Sequence, residues 1–288
     1  MSRLIVNADD FGLTAGVNRT ITELNQAGVL TSATLMARAA ATEEAIQLAR
    51  STPSLGVGCH VVLVDGEPVL PPGAIPSLID RQTGRFFQTL GAFLQRLCTG
   101  RIRSDEIEAE AAAQIALLHS KGISLTHIDT HKHVHMFSAV LRPVLRAAFA
   151  AEIYAVRNPF EPEWSLRATP GAPWLRRTEV SLLRNLRPAF RRVVAKDGFS
   201  TSDGAIGVLA TGTLDASTVA SLLKNLPDGV WELVTHPGVN DADLACAHTR
   251  LLASREIERD ALQTLAQFPA IERISFAGLL PEGKQLRE

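Results

Sequence analysis

The chain is poor in several features that mark functional classes. Among 288 residues it has one Tyr and three Trp, too few for the aromatic platforms on which single-stranded nucleic acid stacks. Its formal net charge of −1 implies no overall pull toward nucleic acid or anionic lipid. The cysteines, Cys59, Cys98 and Cys246, are odd in number, far apart and form no C-x-x-C, which excludes a disulfide framework and a cysteine zinc knuckle. No apolar run approaches the roughly 20 residues needed to span a bilayer. A strand pattern starts by residue 4, leaving no room for a signal peptide, so a soluble cytoplasmic protein is expected. What the chain does have is 46% hydrophobic residues and a mean hydropathy of +0.10, enough for a sizeable core and incompatible with disorder.

The most informative stretch is Leu4-Ile5-Val6-Asn7-Ala8-Asp9-Asp10-Phe11-Gly12. Leu4 to Val6 has the continuous apolar character of a strand buried on both faces, as in parallel sheets covered by helices. Gly12 permits a turn, and a helical pattern starts near Thr14. Asp9 and Asp10 are therefore expected where a strand gives way to its loop, the edge at which α/β folds place chemistry. Turn formation or helix capping explains one carboxylate there, not two. Asp-Phe-Gly also matches the kinase magnesium motif, but the Gly-rich and catalytic loops are absent.

Strand and helix patterns alternate onward: helix 16–27 ended by Gly28, strand 30–37, helix 42–50, strand 56–64. Further helices are expected at 104–121, 139–151, 215–225 and 248–267, and further strands at 125–130, Tyr154–Arg157, 206–210, 231–236 and 274–276. The alternation calls for a parallel sheet with right-handed crossovers. Two stretches break it. Residues 65–103, with Pro68, Pro71, Pro72 and Pro76, are expected as a lid or substrate wall. Residues 159–203 carry six arginines between Arg176 and Arg192, most of them explained by solvated helix faces. One domain, 1–288, with these two insertions accounts for the pattern better than two domains.

Three histidine-bearing segments join the Asp pair: Gly58-Cys59-His60, His127-Ile128-Asp129-Thr130-His131-Lys132-His133-Val134-His135, and Thr235-His236-Pro237-Gly238. Each is expected at a strand end, so all deliver imidazole and carboxylate to one rim. In the second segment polar residues alternate, and an extended backbone would set them on one face. So many buried polar groups need metal, substrate or one another. Two imidazoles and a carboxylate form a common open set for a divalent cation, and a second carboxylate beside it serves as base for a bound water. His236 would protonate the leaving group. The set suits hydrolysis of an amide or ester.

The Asn-Ala-Asp-Asp-Phe-Gly opening, Gly-x-His at 58–60, Thr-His-x-Asp-x-His-x-His-x-His at 126–135 and His236-Pro237-Gly238 resemble, in order and across nearly the whole chain, the YdjC family of carbohydrate deacetylases (ChbG-like). Gly-Val-Leu-Thr-Ser-Ala at 28–33 and Leu-Val-Asp-Gly-x-Pro-Val-Leu-Pro-Pro at 63–72 resemble the hopanoid-biosynthesis branch, HpnK, more than the chitooligosaccharide branch. The resemblance implies a deformed (β/α) barrel of the polysaccharide-deacetylase-like type. It also implies metal-dependent removal of acetyl from an N-acetylated amino sugar, a chitooligosaccharide or an N-acetylglucosaminyl lipid such as a hopanoid. Asp10, His60 and His131 match metal ligands, Asp9 the catalytic base and His236 the general acid. His127 and Asp129 would orient the ligand imidazoles, and His133 and His135 would line the pocket. Arg157 would contact sugar hydroxyls or the acetyl oxygen, or else form a structural salt bridge. Lys132 stands where relatives often carry histidine, and its side chain should point away from the metal. Histidine content favours Zn²⁺, whereas the family's usual ion is Mg²⁺. A homodimer is compatible with all of this. The rival readings are a metal-dependent phosphoesterase, which would ordinarily use two metals and more carboxylates, and a non-catalytic carbohydrate-binding protein, which has no need of Asp9.

Overall fold

A computed structural model describes residues 1–280. The strands are β1 (Ser2–Phe11), β2 (Ser32–Leu35), β3 (Gly56–Val61), β4 (Ile128–Thr130), β5 (Gly204–Ile206), β6 (Gly229–Thr235) and β7 (Glu272–Arg273). They form one sheet in the order β4-β3-β2-β1-β6-β5, with β7 also on β1, and every pairing is parallel. β1 is central because Leu4, Ile5 and Val6 are wholly buried, as a strand covered on both faces requires. Between β4 and β5 single contacts replace a ladder. Ile128 bridges Val156, Ala155 bridges Ser200, and Ala205 N donates to Phe160 O. These contacts curl the sheet into a deformed, incompletely closed barrel.

Helices return the chain between strands. α1 (Ala15–Gln26) starts at Thr14, whose side chain accepts from Val17 N, and gives way to Gly28 at φ 70°. α2 (Thr42–Ser51) precedes β3, while α3 (Leu90–Cys98) and α4 (Ser104–Ser120) lie between β3 and β4. α5 (Ser138–Ala150) packs on α4. The stretch 159–203 holds α6 (Glu163–Ala168), α7 (Trp174–Leu183) and α8 (Arg187–Lys196); α9 (Ala216–Lys224), α10 (Ala242–Cys246) and α11 (Ser254–Leu262) follow.

Several expectations change in detail. β1 runs through both aspartates instead of ending before them. Tyr154–Arg157 makes isolated bridges and no strand. The strand expected at 206–210 lies at 204–206, because Gly207 takes φ 87° and turns the chain. The helix expected over 248–267 starts only at Ser254 and gives way to a 3₁₀ turn at Gln263–Gln267; in the loop before it His248 Nδ1 lies 2.6 Å from Asp65 Oδ1. The last strand pairs at 272–273 instead of 274–276. The extended register expected for 127–135 ends at Thr130. Lys132 (φ 56°) and His133 (φ 53°) are left-handed, and a 3₁₀ turn spans His131–Met136.

Candidate active site

The two neighbouring aspartates reach one cluster of side chains because the end of β1 is irregular. Its register against β2 shifts between Ala8 and Phe11, and Asp10 takes φ 64°. Side chains on a regular strand alternate faces; a left-handed residue at this point cancels the alternation. Asp tolerates that conformation better than most residues. The turn is held by Gly12 N donating to Asn18 Oδ1 (2.7 Å) and Leu13 N donating to Asp10 O (3.0 Å).

Asp10, His60 and His131 come together from β1, β3 and the turn after β4. Asp10 Oδ1 lies 3.7 Å from His60 Nε2 and 3.6 Å from His131 Nδ1, and the two imidazole nitrogens are 3.2 Å apart. Donors about 2.1 Å from a tetrahedral cation would lie about 3.4 Å from one another, so the trio fits one ion. Each donor is aimed from behind. His60 Nδ1 donates to Asp129 Oδ1 at 2.7 Å, which leaves Nε2 facing the trio. Arg255 Nη2 donates to Asp10 Oδ2 at 2.5 Å, which leaves Oδ1. His131 is presented by the left-handed Lys132 turn, and Lys132 Nζ is paired with Asp65 Oδ2 at 2.7 Å, away from the trio as expected. Burial disfavours charge on both acid and imidazole here, yet the partners prevail. Arg255 and His131 hold Asp10 well below the usual carboxylate range, and Asp129, with Asp9 and Asp10, pushes His60 up to about 9. A proton on His60 Nε2 competes with a cation there, so a metal ion that binds must displace it.

Asp9, His60 and Asp129 form a second group of possible donors. It is the poorer cation site. Arg157 donates to both Asp9 oxygens (Nη2 to Oδ1, 2.6 Å; Nη1 to Oδ2, 2.9 Å) and also bonds Asp129, so those carboxylates are already neutralised. All three are buried, whereas the His131 side chain is 20% exposed and leaves an approach from solvent.

Asp9 is instead clamped beside the trio. Besides Arg157 it accepts from Asn7 Nδ2 (2.9 Å) and Thr34 Oγ1 (3.2 Å). Burial raises its proton affinity, but Arg157, His60 and His236 more than offset this, and it stays ionised. His236 follows β6. Its Nε2 lies 3.8 Å from Asp9 Oδ2 and its Nδ1 lies 3.7 Å from Glu258 Oε2, which also accepts from the His236 backbone N–H. Burial lowers its pKa, but Glu258, Asp9 and Asp10 raise it above the ordinary imidazole value. Glu232, buried against Arg157 Nε (2.7 Å), is pushed up to about 8 by burial and by the nearby aspartates, despite Arg157.

Four expectations for this region are revised or narrowed. Arg157 is fully buried with its donors spent on Asp9, Asp129 and Glu232, so it is the structural salt bridge and not a sugar contact. His135 is also fully buried, bonded to Thr130 Oγ1 (2.7 Å) and Arg157 O (3.1 Å), and lines no cavity. His127 bonds its neighbour Thr126 and stacks on Phe276 with ring centroids 3.8 Å apart; it orients no ligand imidazole. It also sits on Gly58, where an added Cβ would lie 2.5 Å from its ring. His133 is half-buried, and burial pushes its pKa down to about 3, so it stays neutral. Asp129 does orient His60.

Sequence reasoning missed Arg255, Glu258 and Glu232. Arg255 and Glu258, both buried, stand three residues apart on one side of α11 and serve the two halves of the site. The only sequence signal was charge on the core-facing side of an amphipathic helix.

The sequence profile described as YdjC-like protein matches residues 3–270. The chain belongs to the YdjC family. Among YdjC-like relatives, a carbohydrate deacetylase of Thermoanaerobacter pseudethanolicus is 29% identical over 262 residues, 91% of each chain. A carbohydrate deacetylase of Brevibacillus brevis is 44% identical over 146 residues (51% of this chain, 55% of that one). A chitooligosaccharide deacetylase of Klebsiella pneumoniae is 44% identical over 151 residues (52% and 56%). The match thus spans about half the length of the latter two. A proposed cellobiose-phosphate cleavage protein of Enterococcus faecalis superposes over 97% of this chain and 99% of its own, with a TM-score of 0.76 and 25% identity.

Proposed function

We propose that this YdjC-family chain is a metal-dependent carbohydrate N-deacetylase acting on an N-acetylated amino sugar, free or carried on a lipid. The observation that carries the reading is the pairing of two half-sites. Asp10, His60 and His131 converge within 3.7 Å of one another, and an ionised carboxylate, Asp9, lies beside them with His236 3.8 Å away. The carbohydrate deacetylases among the relatives support the same chemistry.

Asp10, His60 and His131 would hold one divalent cation, Mg²⁺ or Zn²⁺. Bound there, it supplies an acidified water and a positive charge for the oxygen that turns anionic. Asp9 is the base for that water, kept ionised and aimed by Arg157 and Asn7. Because Arg157 makes a proton on Asp9 costly, the proton does not rest there. His236, with Glu258 behind it, carries a proton at the site and gives it to the departing nitrogen. One water is consumed: its oxygen joins the acetyl carbon, the C–N bond breaks, and acetate and a protonated amine leave. Half-buried His133 would line the approach of the substrate.

The test is acetate release from N-acetylglucosamine oligosaccharides after chelation and again after adding back Mg²⁺ or Zn²⁺. Restored release supports the reading. Phosphate release from a sugar phosphate without acetate release would favour the phosphoesterase, and neither product would favour a sugar-binding protein.

A further inference from the structure

Although the chain is nearly neutral, one surface is not. Residues 174–196 hold seven cationic side chains against one carboxylate of their own, Glu179, which pairs with Arg176 at 2.9 Å. From neighbouring segments Glu163 lies 3.8 Å from Arg184 and Asp203 lies 3.7 Å from Arg191, which leaves a cationic excess that includes the exposed Arg192 and Lys196. The stretch is helical throughout: α7 passes through a 3₁₀ turn at Arg184–Leu186 into α8, and Leu183, Arg184, Leu186 and Arg187 all have right-handed helical angles. At about 1.5 Å per residue it traces roughly 35 Å of helix. Exposed positions recur along it at three- and four-residue steps, from Trp174 through Leu182 and Ala189 to Arg192 and Lys196. The first half of this stripe is apolar. Trp174 is 72% exposed, and Leu175 and Leu182 are each 64% exposed, an unusual loss for large apolar side chains gathered on one short helix. The second half is cationic, and the crowding of Arg184, Arg187 and Arg191 shows in Arg187, whose pKa is lowered by burial and by its two like-charged neighbours.

We propose that α7 and α8 dock this protein on an anionic membrane surface. A basic helix of this length with Trp and Leu exposed is the pattern of a segment lying in the lipid interface, apolar side chains among the acyl chains and cations at the headgroups. None of the helices among the described residues is long and apolar enough to cross a membrane, and the attachment proposed is at the surface. A second copy is the poorer occupant, because a two-fold contact sets this cationic stretch against itself. Nucleic acid is poorer too, since phosphate leaves Leu175 and Leu182 in water.

The docked face lies beside the reaction site. Val180, on the inward side of α7, packs with Leu166 and Leu209, and Leu209 is in the loop that follows β5. In that same loop Gly212 N donates to Glu258 Oε1, and Glu258 backs His236. Docking through α7 would therefore set the loop that holds Glu258, and with it the His236 side of the site, close to the lipid headgroups, where an amino sugar on a lipid would be presented.

The test is co-sedimentation of the full chain with vesicles of phosphatidylcholine alone and of phosphatidylcholine with phosphatidylglycerol, at low and high salt. It needs no turnover, so its outcome is independent of the deacetylase reading. The expected result is binding to the anionic vesicles only, weakened by salt. Trp174→Ser/Leu175→Ser/Leu182→Ser and Arg192→Glu/Lys196→Glu should each weaken it by about tenfold or more, with circular dichroism and acetate release from a soluble oligosaccharide unchanged. Absence of binding to anionic vesicles, or binding by both variants that is undiminished from wild type, overturns the proposal. So does a wild-type dimer in sedimentation velocity that the triple variant dissociates, or salt-sensitive RNA binding in place of vesicle binding.

Discussion

Asp9 and Asp10 are neighbours in sequence, nearly equal in burial, and both ionised, yet the protein treats them as opposites. Asp10 has one oxygen tied by Arg255 and the other left facing His60 and His131. Asp9 has both oxygens tied by Arg157, with Asn7 and Thr34 added. A carboxylate with a free oxygen among imidazoles is a ligand. One saturated by a bidentate guanidinium is poorly placed to bind a cation and well placed to stay charged and immobile beside a water. The contrast shows that division of labour between chemically identical side chains is set by the cations behind them. The left-handed turn at Asp10 only brings both into one cluster.

The contrast is sharpest under substitution. Asp10→Ala or His60→Ala should strip the cation and abolish acetate release, read as metal content by mass spectrometry alongside turnover. Asp9→Asn should keep the cation while turnover falls by about 10²–10⁴-fold. Arg157→Met removes the shared partner of buried carboxylates and should cost about 3–5 kcal/mol of stability, measured by urea unfolding, with the cation still bound to the folded protein. Asp65→Asn, which frees Lys132 and loosens the turn carrying His131, should weaken metal affinity by about tenfold without a comparable loss of stability. Smallest is Glu258→Gln. A general acid must be protonated, so activity is lost as pH rises through the pKa of His236. Glu258 raises that pKa, so the variant's alkaline limb in a pH–rate profile should move to lower pH, its acid limb unchanged.

Much of this was readable from residues alone, for physical reasons that differ by region. β1 announces itself because a strand covered on both faces must be apolar throughout, and the strand-end placement of His60 and His236 follows from their neighbours in the same way. Crowded polar residues marked the rim at those ends, but the choice of Asp10, His60 and His131 as the trio came from the resemblance to the YdjC family. The histidine segment was misread where alternation suggested an extended backbone. Lys132 and His133 adopt left-handed angles that their side chains do not advertise, and the turn sends His135 into the interior and leaves His131 at the site. Arg157 was open between two roles, and only burial decides between them. Arg255 lies 245 residues from Asp10, a pairing no local pattern can display.

The division between the two aspartates is tested most directly by an anomalous-scattering map from crystals grown with Zn²⁺. The account expects one peak per chain, about 2.0–2.2 Å from Asp10 Oδ1, His60 Nε2 and His131 Nδ1, with Asp9 still held by Arg157 and outside bonding distance of the ion. A peak bonded to Asp9 and Asp129, with Arg157 displaced, would contradict it.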